Sequence, residues 1–284
     1  MPLYILLAIA SAMLYGGWKF GMGLYRDRVN ANGIVLVSAV SAAVVYLILG
    51  GLGHSLTFDR HDVLPGLLGG TFNTIGTLLL VKAFERGKMA VVSGVASTYA
   101  IVPLIYSLAV GESLSATAGL GILLSFAGLM LFLFTRSSGA QTPGSNRGGS
   151  AVAIGLACIS ALFWGLAILV LDVGSRVSLT GTLLVSLVPE VLVTAVALLL
   201  LRSLGGLNRP AVGGLAIAGV GLALGELTFY AASNEGDIGV VSVIGALSPI
   251  VTALLALGFL KERLTRGEVL ALVIVLTGTC FVVA

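Results

Sequence analysis

Ten apolar segments, each close to the length of a membrane-spanning helix, account for nearly the whole chain. A helix needs roughly 20 predominantly apolar residues to cross the hydrocarbon core of a bilayer. The predicted spans are residues 3–24, 31–53, 63–82, 89–109, 114–134, 151–171, 180–201, 210–231, 238–259 and 267–284. The chain is 58% hydrophobic and 10% charged, where soluble domains carry about 25% charged residues. The sequence therefore predicts an all-α integral membrane protein with ten transmembrane helices.

The short connections between these spans leave no room for a soluble catalytic or nucleic-acid-binding domain, so we expect neither a cofactor nor a nucleic-acid partner. Both histidines lie in GHSLTFDRHD (residues 53–62), beside Asp59 and Asp62. Their spacing matches no metal motif, and a solvated loop is the favoured interpretation. Cys158 and Cys280 fall inside spans, where cysteine behaves as a small apolar residue. No metal ligands are predicted.

The chain consists of two similar halves, residues 1–135 and 151–284, joined by a linker at 136–150 of Gly, Ser and polar composition. Three groups of residues recur in the same order, at separations of 149 or 150 residues: Tyr15-Gly16 with Trp164-Gly165; Gly87 and Val91-Val92-Ser93 with Gly236 and Val240-Val241-Ser242; and Glu112, Leu114 and Gly128 with Glu262, Leu264 and Gly278. Each half holds five spans, an odd number, so the second half enters the membrane in the opposite orientation. Two inverted five-helix repeats are typical of secondary transporters, whose substrate site lies near the midplane between the repeats.

The segment EGDIGVVSVIGALSPIVTALLALGFLKERLTRGEVLALVIVLTGTCFV, with Pro249 in the ninth span and Glu262 after it, resembles the last two helices of a known family. That family is the ten-helix, EamA-type branch of the drug/metabolite transporter superfamily. The first half matches less well, since Ala100 stands near the family's proline. The resemblance implies a central cavity lined by spans 1, 3, 4, 6, 8 and 9, with spans 5 and 10 packed outside.

Aromatic and basic residues in two repeat-related spans are candidate substrate ligands. The first span contains YGGWKFG, with Tyr15, Trp18 and Lys19, and the sixth contains FWG, with Trp164 at the position related to Tyr15. Two aromatic rings facing each other across the repeat axis can hold an ammonium by cation–π attraction. The alternatives are that the aromatics are packing residues or interfacial anchors, and that Lys19 extends to the membrane surface.

Small and hydroxyl residues mark the fourth and ninth spans. SGVASTYA supplies Ser97 and Tyr99 as candidate ligands, and its counterpart supplies Ser248 next to Pro249. Such a wall lets backbone groups reach a ligand, and exposed backbone at membrane depth is tolerated only where it lines a cavity. Tight helix packing requires the same small residues, so both interpretations stay open.

Two acids lie inside spans. Glu226 in the eighth span is the strongest candidate, with Tyr230 one helical turn further on the same face. It aligns with Thr77 in the third span, which carries Asn73 one turn earlier. Intramembrane acids are costly and usually functional, so Glu226 is a predicted substrate ligand and proton-coupling group.

Glu190 is the second candidate for proton coupling. It follows Pro189 near the middle of LLVSLVPEVLVTAVALLLL, in the seventh span, which the resemblance places at the periphery. A structural role, hydrogen-bonded inside the bundle beside a proline kink, is the alternative for this carboxylate.

These observations predict a multi-pass secondary active transporter of the prokaryotic plasma (inner) membrane, an exporter of a small polar or zwitterionic metabolite such as an amino acid or amine. Lys19 would meet the carboxylate of such a substrate and Glu226 its ammonium, with protons as the coupling ion. A multidrug or quaternary-cation transporter is one alternative, and a polytopic membrane enzyme or structural subunit is another. A fused pair of repeats can form its cavity as a monomer or within a homodimer.

The distribution of basic residues predicts an orientation. Twelve of the 15 lysines and arginines fall in the connections after spans 1, 3, 5, 7 and 9: Arg26, Arg28, Lys82, Arg86, Lys88, Arg136, Arg147, Arg202, Arg209, Lys261, Arg263 and Arg266. Only Arg60 and Arg176 fall in the others. The positive-inside rule then places both termini outside the cytoplasm, whereas the family resemblance implies the reverse.

Overall fold

The computed structural model describes residues 2–53, 56, 58, 60–87, 89–111, 115–138, 147–201, 206–260 and 266–283, with most of their side chains. Several sequence predictions lie outside the described residues. They concern His54, Asp59, Lys88, Glu112, Leu114, Arg202, Lys261, Glu262, Arg263, Leu264, residues 139–146 of the linker, and the side chains of Val91, Arg136, Arg147 and Cys280.

Within the described residues the regular elements are all helical. In chain order they are α1 Leu3–Tyr25, α2 Ala31–Leu52, α3 Arg60–Arg86, α4 Met89–Ala96, a 3-10 turn Ser97–Ala100, α5 Ile101–Ala109, α6 Ala116–Ser138, α7 Arg147–Ser175, α8 Leu179–Leu201, α9 Arg209–Glu235, α10 Ile238–Gly245, α11 Ser248–Leu260 and α12 Arg266–Val283. Helices α6 and α7 extend into the predicted linker from both sides, so its irregular part is shorter than predicted.

Eight helical segments within the described residues are long and apolar enough to cross a membrane. They are Leu3–Tyr25, Ala31–Leu52, Arg60–Arg86, Val92–Ala109, Ala151–Ser175, Leu179–Leu200, Arg209–Glu235 and Ile238–Leu255. These eight agree with the first four predicted spans and with the sixth to ninth. Helices α6 and α12 occupy the fifth and tenth predicted positions, and α6 has a shorter apolar stretch at Gly119–Leu131.

The fourth and ninth predicted spans are interrupted near their middle. A 3-10 turn at Ser97–Ala100 separates α4 from α5, and α10 ends at Gly245 while α11 begins at Ser248. Proline removes a backbone donor, and Pro103 and Pro249 each stand in the first turn of the second segment. The two interruptions are separated by about the repeat distance. In contrast, α8 runs without interruption through Pro189, so the structure leaves this helix unbroken where the sequence suggested a kink.

Contacts between the two halves recur in pairs related by 149 residues. A Cβ atom built on Gly16 would lie 2.8 Å from the carbonyl oxygen of Ser248, and one on Gly165 would lie 2.9 Å from that of Tyr99. Each position of the first contact corresponds to a position of the second, with the halves exchanged. Glycine is needed at both places because the facing backbone leaves no space for a side chain.

Helices α6 and α12 pack mainly against each other. Leu129 of α6 and Ala271 of α12 form a small buried cluster with Ala253 of α11, while Ile122 of α6 belongs to the main core. The close approach of Gly128 to Val275 is matched by that of Gly278 to Ser125, at a separation of 150 residues. These two helices thus lie outside the bundle that surrounds the site, as the family resemblance implied.

Candidate functional site

A cavity lies between helices α1, α3, α7 and α9 and the turn between α4 and α5; the space within it, counted with its opening to solvent, is about 470 Å³. Its described lining is mainly aromatic and apolar, with one base and one acid. The lining residues are Tyr15, Trp18, Lys19, Asn73, Tyr99, Trp164, Ala167, Ile168, Leu222, Glu226, Phe229 and Tyr230.

Lys19 is the basic residue among the described residues that line the cavity. Its side chain is 2% exposed, and Nζ donates a hydrogen bond of 2.9 Å to Oγ of Ser248. Nζ also lies 5.3 Å from the ring centroid of Trp164 and 6.0 Å from that of Tyr99. The amino group is therefore held inside the bundle by a hydroxyl and two aromatic faces. The alternative in which Lys19 extends to the membrane surface is wrong for this conformation.

Glu226 provides the acid, on α9. Its side chain is 5% exposed, and Oε2 accepts a short hydrogen bond from the phenol of Tyr46. Tyr46 is fully buried on α2, a helix that contributes no residue to the described lining. The carboxylate thus faces the cavity and is held from behind by a group that a substrate does not contact.

The aromatic side chains form one connected wall. Trp164 lies 6.1 Å from Trp18 and 6.1 Å from Tyr99 between ring centroids, the latter pair edge to face. Tyr15 lies 6.3 Å from Trp18, and its other ring contact, also at 6.3 Å, is with Phe229. Trp164 therefore contacts Trp18 and Tyr99, whereas the sequence had suggested that it faces its repeat mate Tyr15.

Glu190 lies one step behind the cavity wall. It is buried on α8, and its Oε2 accepts a hydrogen bond of 3.4 Å from Nδ2 of the lining residue Asn73. Asn73 is therefore placed between the cavity and a second carboxylate. This arrangement accommodates both roles considered for Glu190, a structural hydrogen bond and proton exchange with the cavity.

Hydrogen bonds join the helices where α7, α9 and α5 end. Ser233 donates to Asp172, whose other carboxylate oxygen accepts from Nε of Arg176 at 3.0 Å. Asp237, four residues after Ser233, accepts a hydrogen bond of 2.9 Å at Oδ1 from Oγ of Ser107. Asp237 also caps α10, since its Oδ1 accepts from the amides of Gly239 at 2.6 Å and Val240 at 3.2 Å. The bond between Ser107 and Asp237 thus joins the two halves at this end of the bundle, while the other contacts lie within the second half.

Comparison with known proteins identifies the family. The model of the EamA-like transporter family matches the chain twice, over residues 2–134 and 151–284. The chain belongs to the EamA-like transporter family. The resemblance seen in the sequence motifs is therefore confirmed, and this EamA-like chain is a multi-pass membrane protein of a transporter family.

A solved structure shares the fold. One protein of known crystal structure superposes with a TM-score of 0.80 over 98% of this chain and 95% of that chain. The two sequences are 16% identical, so the likeness concerns the fold alone. Among curated proteins no match was found.

Most of the predicted site residues of this EamA-like transporter line the cavity. They are Tyr15, Trp18, Lys19, Asn73, Tyr99, Trp164, Glu226 and Tyr230. Ser248 and Thr77 lie behind the cavity wall. Ser248 accepts a hydrogen bond from Lys19, and Thr77 accepts a hydrogen bond of 3.3 Å from Nε1 of Trp164. Ser97 is not among the described lining residues, and its hydroxyl donates to the carbonyl oxygen of Ser93 one turn earlier in the chain.

Sequence reasoning missed Tyr46 and the apolar part of the wall. Tyr46 is the one tyrosine of α2, and its partner Glu226 is 180 residues away, so no local pattern pairs them. Phe229 is different, since it follows Glu226 by three residues and therefore shares its helix face. Ile168 occupies the repeat position of Lys19 and completes the wall without a charge.

Proposed function

We propose that this protein is a secondary active transporter of a small polar or zwitterionic metabolite such as an amino acid. The observation that supports this function is a cavity whose described lining combines one basic and one acidic residue with six aromatic side chains. Lys19 would receive the carboxylate of the substrate and Glu226 its ammonium. Uncharged aromatic faces between these two groups would contact the side chain of the substrate.

The ten spans form two inverted five-helix repeats in this proposal, residues 1–135 and 151–284 with the linker at 136–150. The paired contacts support it, because Gly16 with Ser248 and Gly165 with Tyr99 exchange the two halves, as a two-fold relation requires. The interruptions of both the fourth and the ninth spans add support, since transporter sites are commonly built on such broken helices. Rocking one repeat against the other would expose the cavity alternately to the two sides.

Protons are the proposed coupling ion, with Glu226 as the coupling group. An acid inside the membrane that faces a water-filled cavity can bind a proton on one side and release it on the other. Exchange of substrate against protons entering the cell would give export, from a prokaryotic plasma membrane. A monomer is sufficient for this scheme because one chain provides every wall of the cavity.

The aromatic wall favours one alternative, a transporter of quaternary or lipophilic cations. Six of the lining residues are Tyr, Trp or Phe, and their faces attract cations. Purified full-length protein in proteoliposomes with an imposed pH gradient would separate the two functions. We expect uptake of at least one labelled amino acid above that of empty liposomes, and no ethidium uptake. Ethidium uptake without amino-acid uptake would contradict the proposal and favour the cation transporter.

A further inference from the structure

The ammonium group of Lys19 lies where the aromatic wall of the cavity would bind a cation. Nζ of Lys19 lies 5.3 Å from the Trp164 centroid and 6.0 Å from the Tyr99 centroid. Cation–π attraction acts when a cation lies within about 6 Å of a ring centroid. The chain has thus placed an ammonium of its own where the ammonium of a ligand would otherwise lie.

Lys19 is held in this place by contacts from another helix. Ser248, at the start of α11, accepts a hydrogen bond of 2.9 Å from Nζ and is itself buried. Thr252, one turn further along α11, donates a hydrogen bond of 3.0 Å to the carbonyl oxygen of Gly16. This bond joins α11 to α1 close to Lys19. The lysine is therefore anchored across the interface between the two halves.

The arrangement of charges in the cavity is asymmetric. Among the described lining residues, Lys19 is the one base and Glu226 the one acid. A ligand with a single positive charge would gain from Glu226 but would meet the ammonium of Lys19 at the Trp164 and Tyr99 faces. A zwitterion would meet an opposite charge at each end. Placing like charges side by side is a common means of excluding unwanted ligands.

We propose that Lys19 is the specificity-determining residue of the cavity, which excludes quaternary and other singly charged cations by occupying the Trp164 and Tyr99 faces with its own ammonium. The inference rests on the proposed transport function and names the role of one residue in it. Accepted ligands carry a carboxylate or another anionic group that pairs with Lys19. Removing the lysine converts the cavity into a cation-binding site.

The protein carries its own probe for this test. The chain contains 2 tryptophans, Trp18 and Trp164, and both line the cavity. Intrinsic tryptophan fluorescence of the purified full-length protein in detergent therefore reports on the cavity alone. Choline and betaine are matched ligands, since both carry a trimethylammonium group and betaine has a carboxylate where choline has a hydroxymethyl group.

The wild-type protein should bind betaine at least about tenfold more tightly than choline, because like charges at close range cost more than the free energy of a tenfold change in Kd. Lys19→Met should reverse this order, with choline bound about tenfold more tightly than by the wild type. Lys19→Gln keeps a donor for Ser248 and should behave as Lys19→Met does. Lys82→Met removes an exposed lysine on α3 and serves as the matched control, with the wild-type order of affinities.

An unchanged ratio of choline to betaine affinity in both Lys19 variants, with folding verified by gel filtration, would overturn the inference. So would the absence of choline binding to every variant. Choline binding to Lys19→Met without betaine binding to the wild type would have a different meaning. The lysine would then exclude cations as inferred, and the zwitterionic substrate of the proposed function would be wrong.

Discussion

Tyr46 positions the carboxylate of Glu226 from outside the cavity. The tyrosine lies fully buried on α2, and its phenol donates to the carboxylate on α9. A buried carboxylate without a hydrogen-bond donor is costly. The bond between these two side chains therefore sets where the acid of the cavity points before any substrate arrives.

A double-mutant cycle between these two residues tests this arrangement. Tyr46→Phe removes the donor and Glu226→Leu removes the acceptor. We expect a coupling free energy of about 1 kcal/mol in reversible unfolding in mixed micelles, the size usual for hydrogen bonds between membrane helices. Strictly additive effects would show that the two side chains do not interact in the folded protein.

The side chain of Trp164 both lines the cavity and forms a hydrogen bond to a neighbouring helix. Its ring faces Lys19, and its Nε1 donates to Thr77 at 3.3 Å. Trp164→Ala should weaken amino-acid binding by about tenfold or more, because it removes the aromatic face that holds Lys19. Trp164→Phe keeps a face and should retain much of the affinity. Equal losses of folded, inserted protein in the two variants would mean that Trp164 serves packing alone.

At the scale of helices, the interruptions of the fourth and ninth spans bring backbone and side-chain groups to the cavity. The same groups would not reach it from a continuous helix. The turn Ser97–Ala100 presents Tyr99, and the start of α11 presents Ser248 to Lys19. The ends of these segments are stabilised by polar contacts between the halves. Ser107, near the end of α5, donates to Asp237 immediately before α10.

Removing that contact should loosen the start of α10. Asp237 caps the amides of Gly239 and Val240, and Ser107 orients its carboxylate. In Ser107→Ala we expect amide hydrogen exchange of these residues to accelerate about fivefold, as the loss of one net hydrogen bond predicts. Thr277→Ala is the matched control, since Thr277 is exposed and bonds within its own helix. Unchanged exchange in Ser107→Ala would show that the cap is independent of this contact.

At the scale of the whole molecule, the bias of basic residues predicts which way the chain lies. Twelve basic residues in one set of connections against two in the other is a large difference by the positive-inside rule. A carboxy-terminal alkaline phosphatase fusion should therefore be active, and a cytoplasmic reporter at the same position inactive. The opposite pair of results would favour the orientation that the family resemblance implies.

The helical fold followed from the sequence because the thickness of the bilayer sets the length of each apolar segment. Glu226 was predicted because an acid inside a span is costly and usually functional, and Trp164 because it is the repeat mate of Tyr15. Both line the cavity, although Trp164 contacts Trp18 and Tyr99 and not Tyr15.

The sequence named Lys19 as a candidate ligand but left open whether its side chain faces the cavity or the membrane surface. Whether a membrane lysine turns inward depends on its partner Ser248, 229 residues away, and Tyr46 and Glu226 are likewise far apart in the chain.

The break in the ninth span shows the same limit. Pro249 could be recognised in the sequence as a residue that removes a backbone hydrogen-bond donor, and the ninth span is interrupted beside it. Pro189 removes a donor in the same way, yet α8 stays continuous through it. A proline inside an apolar segment therefore does not by itself predict an interruption. Packing decides the outcome, because neighbouring helices can compensate for the lost hydrogen bond.

The most direct test of this account is proton-driven transport by two acid variants in proteoliposomes. With the best labelled amino acid of the panel, Glu226→Gln should lose accumulation against a gradient at least tenfold while exchange of substrate across the membrane continues. Glu190→Gln keeps the hydrogen bond to Asn73 and should transport almost as the wild type does. Wild-type accumulation and pH dependence in Glu226→Gln, or their loss in Glu190→Gln alone, would contradict the assignment of Glu226 as the coupling group.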